Sequence, residues 1–319
     1  MTDLPSRVEI AEEGPREGFQ IEKGPIATAD KIALIDALSA TGLPVIQVAS
    51  FVNPRLVPGW ADAEAVVAGF APRAGVHYTA LWFNAAGLDR ALAFRDRLHL
   101  YGSISLSASE AFSVKNLNRD RAGNLDAMRR MTAAHKAAGV AVRRILVMAS
   151  FGCNYAGDVA PESVLATVAD GLAIAAEAGE TIEDLSLADT MGWATPARIE
   201  RVVGAVRARW PELRLSLHLH DTRGLGIANA HAGLRLGVSR FDSAVAGLGG
   251  CPFAGQPGAP GNIATEELAL LCEEMGIETG IDLDALVDAA RLAERIVGRT
   301  LPSTLLRSGT LAAFRRAAA

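Results

Sequence analysis

The chain has 319 residues, half of them hydrophobic, which is enough to bury one barrel-sized core or two ordinary ones. Its net charge of −5 comes from interspersed charges of both signs, so no basic stripe points to nucleic acid and no polybasic helix points to a membrane. Three scattered cysteines (Cys153, Cys251, Cys272) make neither a disulfide framework nor a CxxC zinc site, and residues 1–5 lack the basic and apolar regions of a signal peptide, so the expected compartment is a reducing one, the cytoplasm.

From Arg7 onward, short Val- and Ile-rich runs alternate with longer segments of helical period. Strands are predicted near 8–13, 44–50, 76–83, 100–107, 141–149, 183–189, 213–220 and 241–246, with helices between them. The first strand runs into GPREGFQ, residues 14–20, which sets Arg16 beside Glu17 on a glycine-flanked turn. As a surface turn this is an ordinary ion pair. At a site, Glu17 offers a hard oxygen to a metal and Arg16 donates to a developing oxyanion. Residues 28–40 read as a helix opened by Thr28-Ala29-Asp30. The polar stretch after the fourth strand carries Lys115 and Asn116, and Lys115 is a candidate for the phosphates of a large substrate. Residues 161–178 open with Pro-Glu, which suits a first helical turn, and Gly139, Gly179 and Gly237 stand where left-handed caps are needed.

The last three strands carry more chemistry. SLADTMG ends the sixth with Asp189. The seventh reads LSLHLHD, and strand alternation turns His218 and His220 to one side. Two imidazoles at a strand end can share a metal ion; the alternative is a pair of interior histidines bonded to their neighbours. A glycine-dense loop follows the eighth strand and holds Cys251, whose thiol it can deliver to a site. Asn262, beyond it, is either the N-cap of the next helix or an amide oxygen for the metal.

Eight strand–helix units predict a (β/α)8 TIM barrel, whose catalytic groups gather at the C-terminal ends of the strands. An open doubly wound sheet competes, but no GxGxxG follows the first strand. The barrel is expected to occupy residues 1–280, and 281–319 to form a helical extension that covers it or mediates oligomer contacts.

GPREGFQ, SFVNPRLVP, SASEAFSVKNLN, SFGCNYAG, SLADTMG, HLHDTRG, SAVAGLGGCP and GNIATEEL together resemble the 3-hydroxy-3-methylglutaryl-CoA lyase family, from Val8 to about Gly280. The resemblance implies a metal-dependent barrel lyase that cleaves an acyl-CoA thioester to acetyl-CoA and a keto acid. It implies Glu17, His218, His220 and Asn262 as ligands of Mg²⁺ or Mn²⁺, with Zn²⁺ also tolerated. Arg16 falls on the oxyanion-stabilising arginine, Cys251 on the catalytic acid, and His218 is a candidate base. Glu12, Gln47, Asp189, Lys115 and Asn116 are expected around the substrate. A homo-oligomer, dimer or tetramer, is the expected assembly. Two departures lie near the centre: Glu17 stands where the family usually has aspartate, and Gln47 where it usually has glutamate. The extra methylene of Glu17 moves its carboxylate by up to roughly 1.5 Å. These changes keep a related substrate, citramalyl-CoA, in play. A Claisen-type condensing synthase on the same barrel and a scaffold with a decayed site are the other readings.

Overall fold

The computed structural model describes residues 4–22, 24–249 and 260–317. Among the described residues the Val- and Ile-rich runs form eight strands: β1 (Glu9–Glu12), β2 (Val45–Ser50), β3 (His77–Leu81), β4 (Gly102–Ser107), β5 (Val142–Met148), β6 (Asp184–Ala188), β7 (Arg214–His218) and β8 (Arg240–Ser243). The helices, in chain order, are α1 (Phe19–Ile21), α2 (Thr28–Ser39), α3 (Ala63–Gly69), α4 (Ala85–Leu92), α5 (Glu110–Leu117), α6 (Arg121–Ala137), α7 (Pro161–Ala178), α8 (Pro196–Arg209), α9 (Gly226–Arg235), α10 (Thr265–Glu274), α11 (Leu283–Val297), α12 (Leu305–Ser308) and α13 (Leu311–Ala317). This alternation is the expected (β/α)8 barrel class. The caps at Gly139, Gly179 and Gly237 are left-handed as expected, with φ of 67°, 71° and 75°.

β3, β7 and β8 end two or more residues before their predicted runs do, β3 at Leu81. β8 stops at Ser243 because the chain then turns at Val245–Gly247, where Ala246 takes a left-handed φ of 58°. β7 stops at His218, and His220 lies two residues beyond it.

Two compact units divide the chain. In the unit that runs from Leu100 to Phe241, β4, β5, β6 and β7 are successive parallel neighbours, with Leu146 opposite Ser186 and Ser186 opposite Ser216. The central residues of β6 and β7 are buried on both faces, as parallel strands under helices require. At the start of β6 the buried carboxylate of Asp184 lies 3.2 Å from Arg144 of β5 and 3.6 Å from Arg214 of β7. This ion cluster sits at the end of the strands opposite the one expected to carry chemistry.

The other unit holds Ser6–His99 and the segments that follow β8. Here β2 lies between β1 and β3, all parallel, with Ala11 opposite Val45 and Val45 opposite His77. The β2–β3 register slips between Gln47 and Ala49, the kind of irregularity that re-aims side chains. Helix α11 buries Leu283, Leu286, Val287, Ala290 and Ala293 along one stripe, and it lies against α2, α10 and the turn at Val245–Gly247. Among the described residues no helix is long and apolar enough to cross a membrane.

Close packing fixes α4 at Gly87, where an added Cβ would fall 2.4 Å from the main-chain oxygen of Phe51. Gly204 in α8 has open space around it. Gly87→Ala is therefore expected to cost about 1–3 kcal/mol by overpacking. Gly204→Ala is expected to stabilise by up to about 1 kcal/mol through helix propensity. Urea unfolding of both variants checks the opposite signs.

Candidate active site

The stretch GPREG after β1 forms one wide helical turn, Gly14–Gly18, opened by Pro15 and followed directly by α1. Its glycines are there for space. A Cβ on Gly14 would lie 2.5 Å from the Glu12 carboxylate, and one on Gly18 would lie 2.7 Å from Leu248. The turn presents Arg16 nearly buried and Glu17 half-buried. The carbonyl of Arg16 accepts a 3.0 Å hydrogen bond from the indole of Trp60, so its main chain is fixed as well. Its guanidinium donates through Nε to Gln47 and through Nη2 to Glu13, and Nη2 lies 3.1 Å from Glu17 Oε2.

Asn262 is not an N-cap. Helix α10 begins at Thr265, and Asn262 lies three residues before it. Its amide Nδ2 donates to Glu17 Oε1 at 3.0 Å and to the Leu248 carbonyl at 3.2 Å. Its Oδ1 is buried and has no hydrogen-bond partner among the described residues. A buried acceptor next to a carboxylate, with nothing donating to it, is the environment that suits a cation. Gly249, with φ of 86°, lets the backbone approach: a Cβ there would lie 2.6 Å from Asn262 Nδ2. Glu17 and Asn262 thus fit an oxygen-preferring divalent ion.

Two buried acids hold the loop after β8 in place. Glu12 Oε1 accepts from Gly14 N at 2.7 Å and Val245 N at 2.9 Å, and Oε2 accepts from the Thr265 hydroxyl at 2.5 Å. Glu266 accepts from Ala246 N at 3.1 Å, next to the left-handed Ala246. Burial pushes both carboxyls up to about 7. Glu12 is wholly enclosed, and its carboxyl joins the turn to the loop.

In the other unit, His218 ends β7 and His220 follows it, with ring centroids 5.1 Å apart and planes at 70°. His220 Nδ1 is 2.7 Å from the carbonyl of Asp189. That contact makes Nδ1 the protonated nitrogen and turns the lone pair to Nε2, the arrangement common in metal-binding histidines. The Asp189 carboxylate is buried and accepts from the backbone N–H groups of Trp193 at 2.7 Å and Ala194 at 2.9 Å. Burial raises its pKa, and the charge of His220 pulls in the opposite direction. Lys115 and Asn116 sit in the last turn of α5, Lys115 exposed and Asn116 half-buried. Cys251 lies outside the described residues.

A family model described as HMGL-like matches residues 7–293. The chain belongs to the HMGL-like family. It is 40% identical to the hydroxymethylglutaryl-CoA lyase YngG of Bacillus subtilis, across 94% of this chain and 96% of that one. It is 41% identical to the 3-hydroxy-3-isohexenylglutaryl-CoA/hydroxymethylglutaryl-CoA lyase of Pseudomonas aeruginosa, across 93% and 95%. Among solved structures, the Bacillus subtilis HMG-CoA lyase superposes with a TM-score of 0.87 at 38% identity, over 96% of this chain and 98% of that one. An HMG-CoA lyase from Acinetobacter baumannii, in complex with coenzyme A and 3-methylmalate, gives 0.85 at 36% identity, over 98% of each. This HMGL-like protein is a carbon–carbon lyase.

Sequence reasoning missed four residues of this HMGL-like lyase. Glu13 binds Arg16, Thr265 and Glu266 hold the β8 loop, and Trp60 anchors the Arg16 carbonyl. Glu13 carried a readable signal, since acid and arginine three apart face one another on a helical turn. The other three come together only through long-range folding.

The raised carboxyls give a pH dependence. Between pH 4.5 and about 7 folded Glu12 keeps a proton that the unfolded chain releases, so its contribution makes stability fall as pH rises through that window. Glu266 slopes the same way. Glu12→Gln keeps the shape and removes one of the two contributions. Its stability relative to the parent should improve by about 1–3 kcal/mol from pH 5 to pH 8. Urea unfolding at the two pH values is the measurement.

Proposed function

We propose that this lyase cleaves 3-hydroxy-3-methylglutaryl-CoA to acetyl-CoA and acetoacetate, with Mg²⁺ or Mn²⁺ held by Glu17, His218, His220 and Asn262. The observation that carries the reading is the Glu17–Asn262 pair with its buried, unpartnered amide oxygen, in a chain 40% identical to a hydroxymethylglutaryl-CoA lyase over nearly its whole length. The His220 ring, oriented by the Asp189 carbonyl, supports the same ligand set. When bound, the ion polarises substrate oxygens and lowers the pKa of a coordinated hydroxyl.

The chain's own groups then have distinct tasks. A base takes the proton of the 3-hydroxyl: a water, or His218 on the ring nitrogen that would otherwise face the ion, since a neutral imidazole has one lone-pair nitrogen. The C3–O electrons form the ketone as the C2–C3 bond breaks, and the bonding pair moves into the thioester as an enolate. Arg16 donates to the enolate oxygen; loss of one such donor costs about 2.7–4 kcal/mol of barrier. Cys251, in the glycine-dense loop, gives its thiol proton to the enolate carbon and forms the acetyl group.

Lys115 and Asn116 are assigned to the CoA nucleotide, with the exposed Lys115 cation as support. We further propose a cytoplasmic homo-oligomer, dimer or tetramer, in which residues 281–319 extend the catalytic barrel of 1–280. The buried stripe of α11 against α2 and α10 favours a role for that extension in covering the barrel.

A second reading, cleavage of citramalyl-CoA to pyruvate and acetyl-CoA, is kept in play by Glu17 and Gln47 at positions where the family usually has aspartate and glutamate. A panel decides between them: 3-hydroxy-3-methylglutaryl-CoA, its 3-isohexenyl analogue and citramalyl-CoA, each with Mg²⁺ or Mn²⁺. The expected products are acetoacetate and acetyl-CoA from the first substrate, with turnover abolished by chelator and restored by added metal. Pyruvate as the sole keto acid, or full turnover in excess chelator, would overturn the proposal.

A further inference from the structure

Arg16 is held with an unusual division of labour among its nitrogens. Nε donates to the Gln47 amide oxygen, and Nη2 is shared between the carboxylates of Glu13 and Glu17. Nη1 has no hydrogen-bond partner among the described residues. Gln47 is neutral, so it directs the guanidinium without balancing its charge. Of the two carboxylates, Glu17 also takes the Asn262 amide and belongs to the proposed cation site. Glu13 is the more enclosed, its side chain 7% exposed against 14% for Glu17.

The backbone of Glu13 is itself pinned. Its N–H donates to the Ser243 carbonyl at 2.8 Å, and its carbonyl accepts from Glu17 N at 2.7 Å. Its carboxylate therefore reaches Arg16 from a fixed anchor across one helical turn. Removing one partner of a buried pair leaves the other charge poorly compensated and free to seek new contacts.

From this geometry we propose that Glu13 is the positioning residue of the reaction. It neutralises Arg16 and, with Gln47, orients the guanidinium so that Nη1 is the donor presented to the substrate oxyanion. This rests on the reading of Arg16 as the oxyanion donor. It also gives the neutral Gln47 a rationale: the negative charge that balances Arg16 comes from Glu13 on the same turn, and Gln47 supplies direction only.

The test moves that charge. Glu13→Gln, Gln47→Glu and the double variant are compared with the wild-type enzyme by kcat, KM, thermal melting and crystallography. Glu13→Gln should lower kcat by about 10- to 100-fold, as misplaced catalytic groups do, with little change in KM. The double variant, with its carboxylate on the Nε side of the same guanidinium, should recover at least about tenfold of that loss. A Glu13→Gln enzyme with wild-type kcat would overturn the proposal, as would a double variant that melts like the wild type yet recovers nothing. Crystallography gives a result independent of turnover and of whether the variants fold. A wild-type crystal structure with Arg16 Nη2 bonded to Glu13 supports the assignment, and one with the guanidinium turned away from Glu13 ends it. If the wild-type enzyme leaves the thioester intact, the functional reading fails, while that crystal structure still decides the positioning.

Discussion

A buried guanidinium has to be neutralised, and that requirement shapes the chain at the end of β1. Arg16 lies in a nearly enclosed place where an unpaired charge would be prohibitively costly. One wide helical turn supplies both acids that face it, Glu13 before it and Glu17 after it. Charges of −1, +1 and −1 leave the group one unit negative, a setting that favours a cation beside Glu17. Because Glu17 also accepts from Asn262, the turn and the segment before α10 are tied into one polar assembly.

The assembly depends on the loop after β8, and buried acids hold that loop. Glu12 joins the turn at Gly14 to the loop at Val245, and Glu266 secures Ala246 in a left-handed conformation that costs a non-glycine residue about 1–2 kcal/mol. Burial resists the ionisation of each acid, while the hydrogen bonds each accepts favour its charged form.

Much of the fold was legible because parallel strands buried on both faces read as plain apolar runs, and glycine caps mark where helices stop. The run of β7 reads past its end: Leu219 and His220 continue the pattern, while the strand stops at His218. Asn262 resembled a cap because a helix follows closely, yet its amide is taken up by Glu17 and Leu248. The resemblance puts Glu12 at the substrate because it matches an acidic residue lining the family's site. Its burial follows from contacts with Val245 and Thr265, more than 230 positions away, which no local pattern encodes. The histidine pair stands out by residue type and spacing alone, whereas the Arg16–Glu17 dipeptide by itself also reads as a surface ion pair.

Mn²⁺ binding, followed by electron paramagnetic resonance in the wild-type protein and in Asn262→Ala, tests the central claim most directly. That claim is that the free amide oxygen of Asn262 and the carboxylate of Glu17 belong to a cation site. The account predicts saturable binding in the wild type and affinity weakened by at least about tenfold in Asn262→Ala, with the fold intact by circular dichroism. Equal affinity in the two proteins, or no Mn²⁺ bound by the wild type, would contradict it.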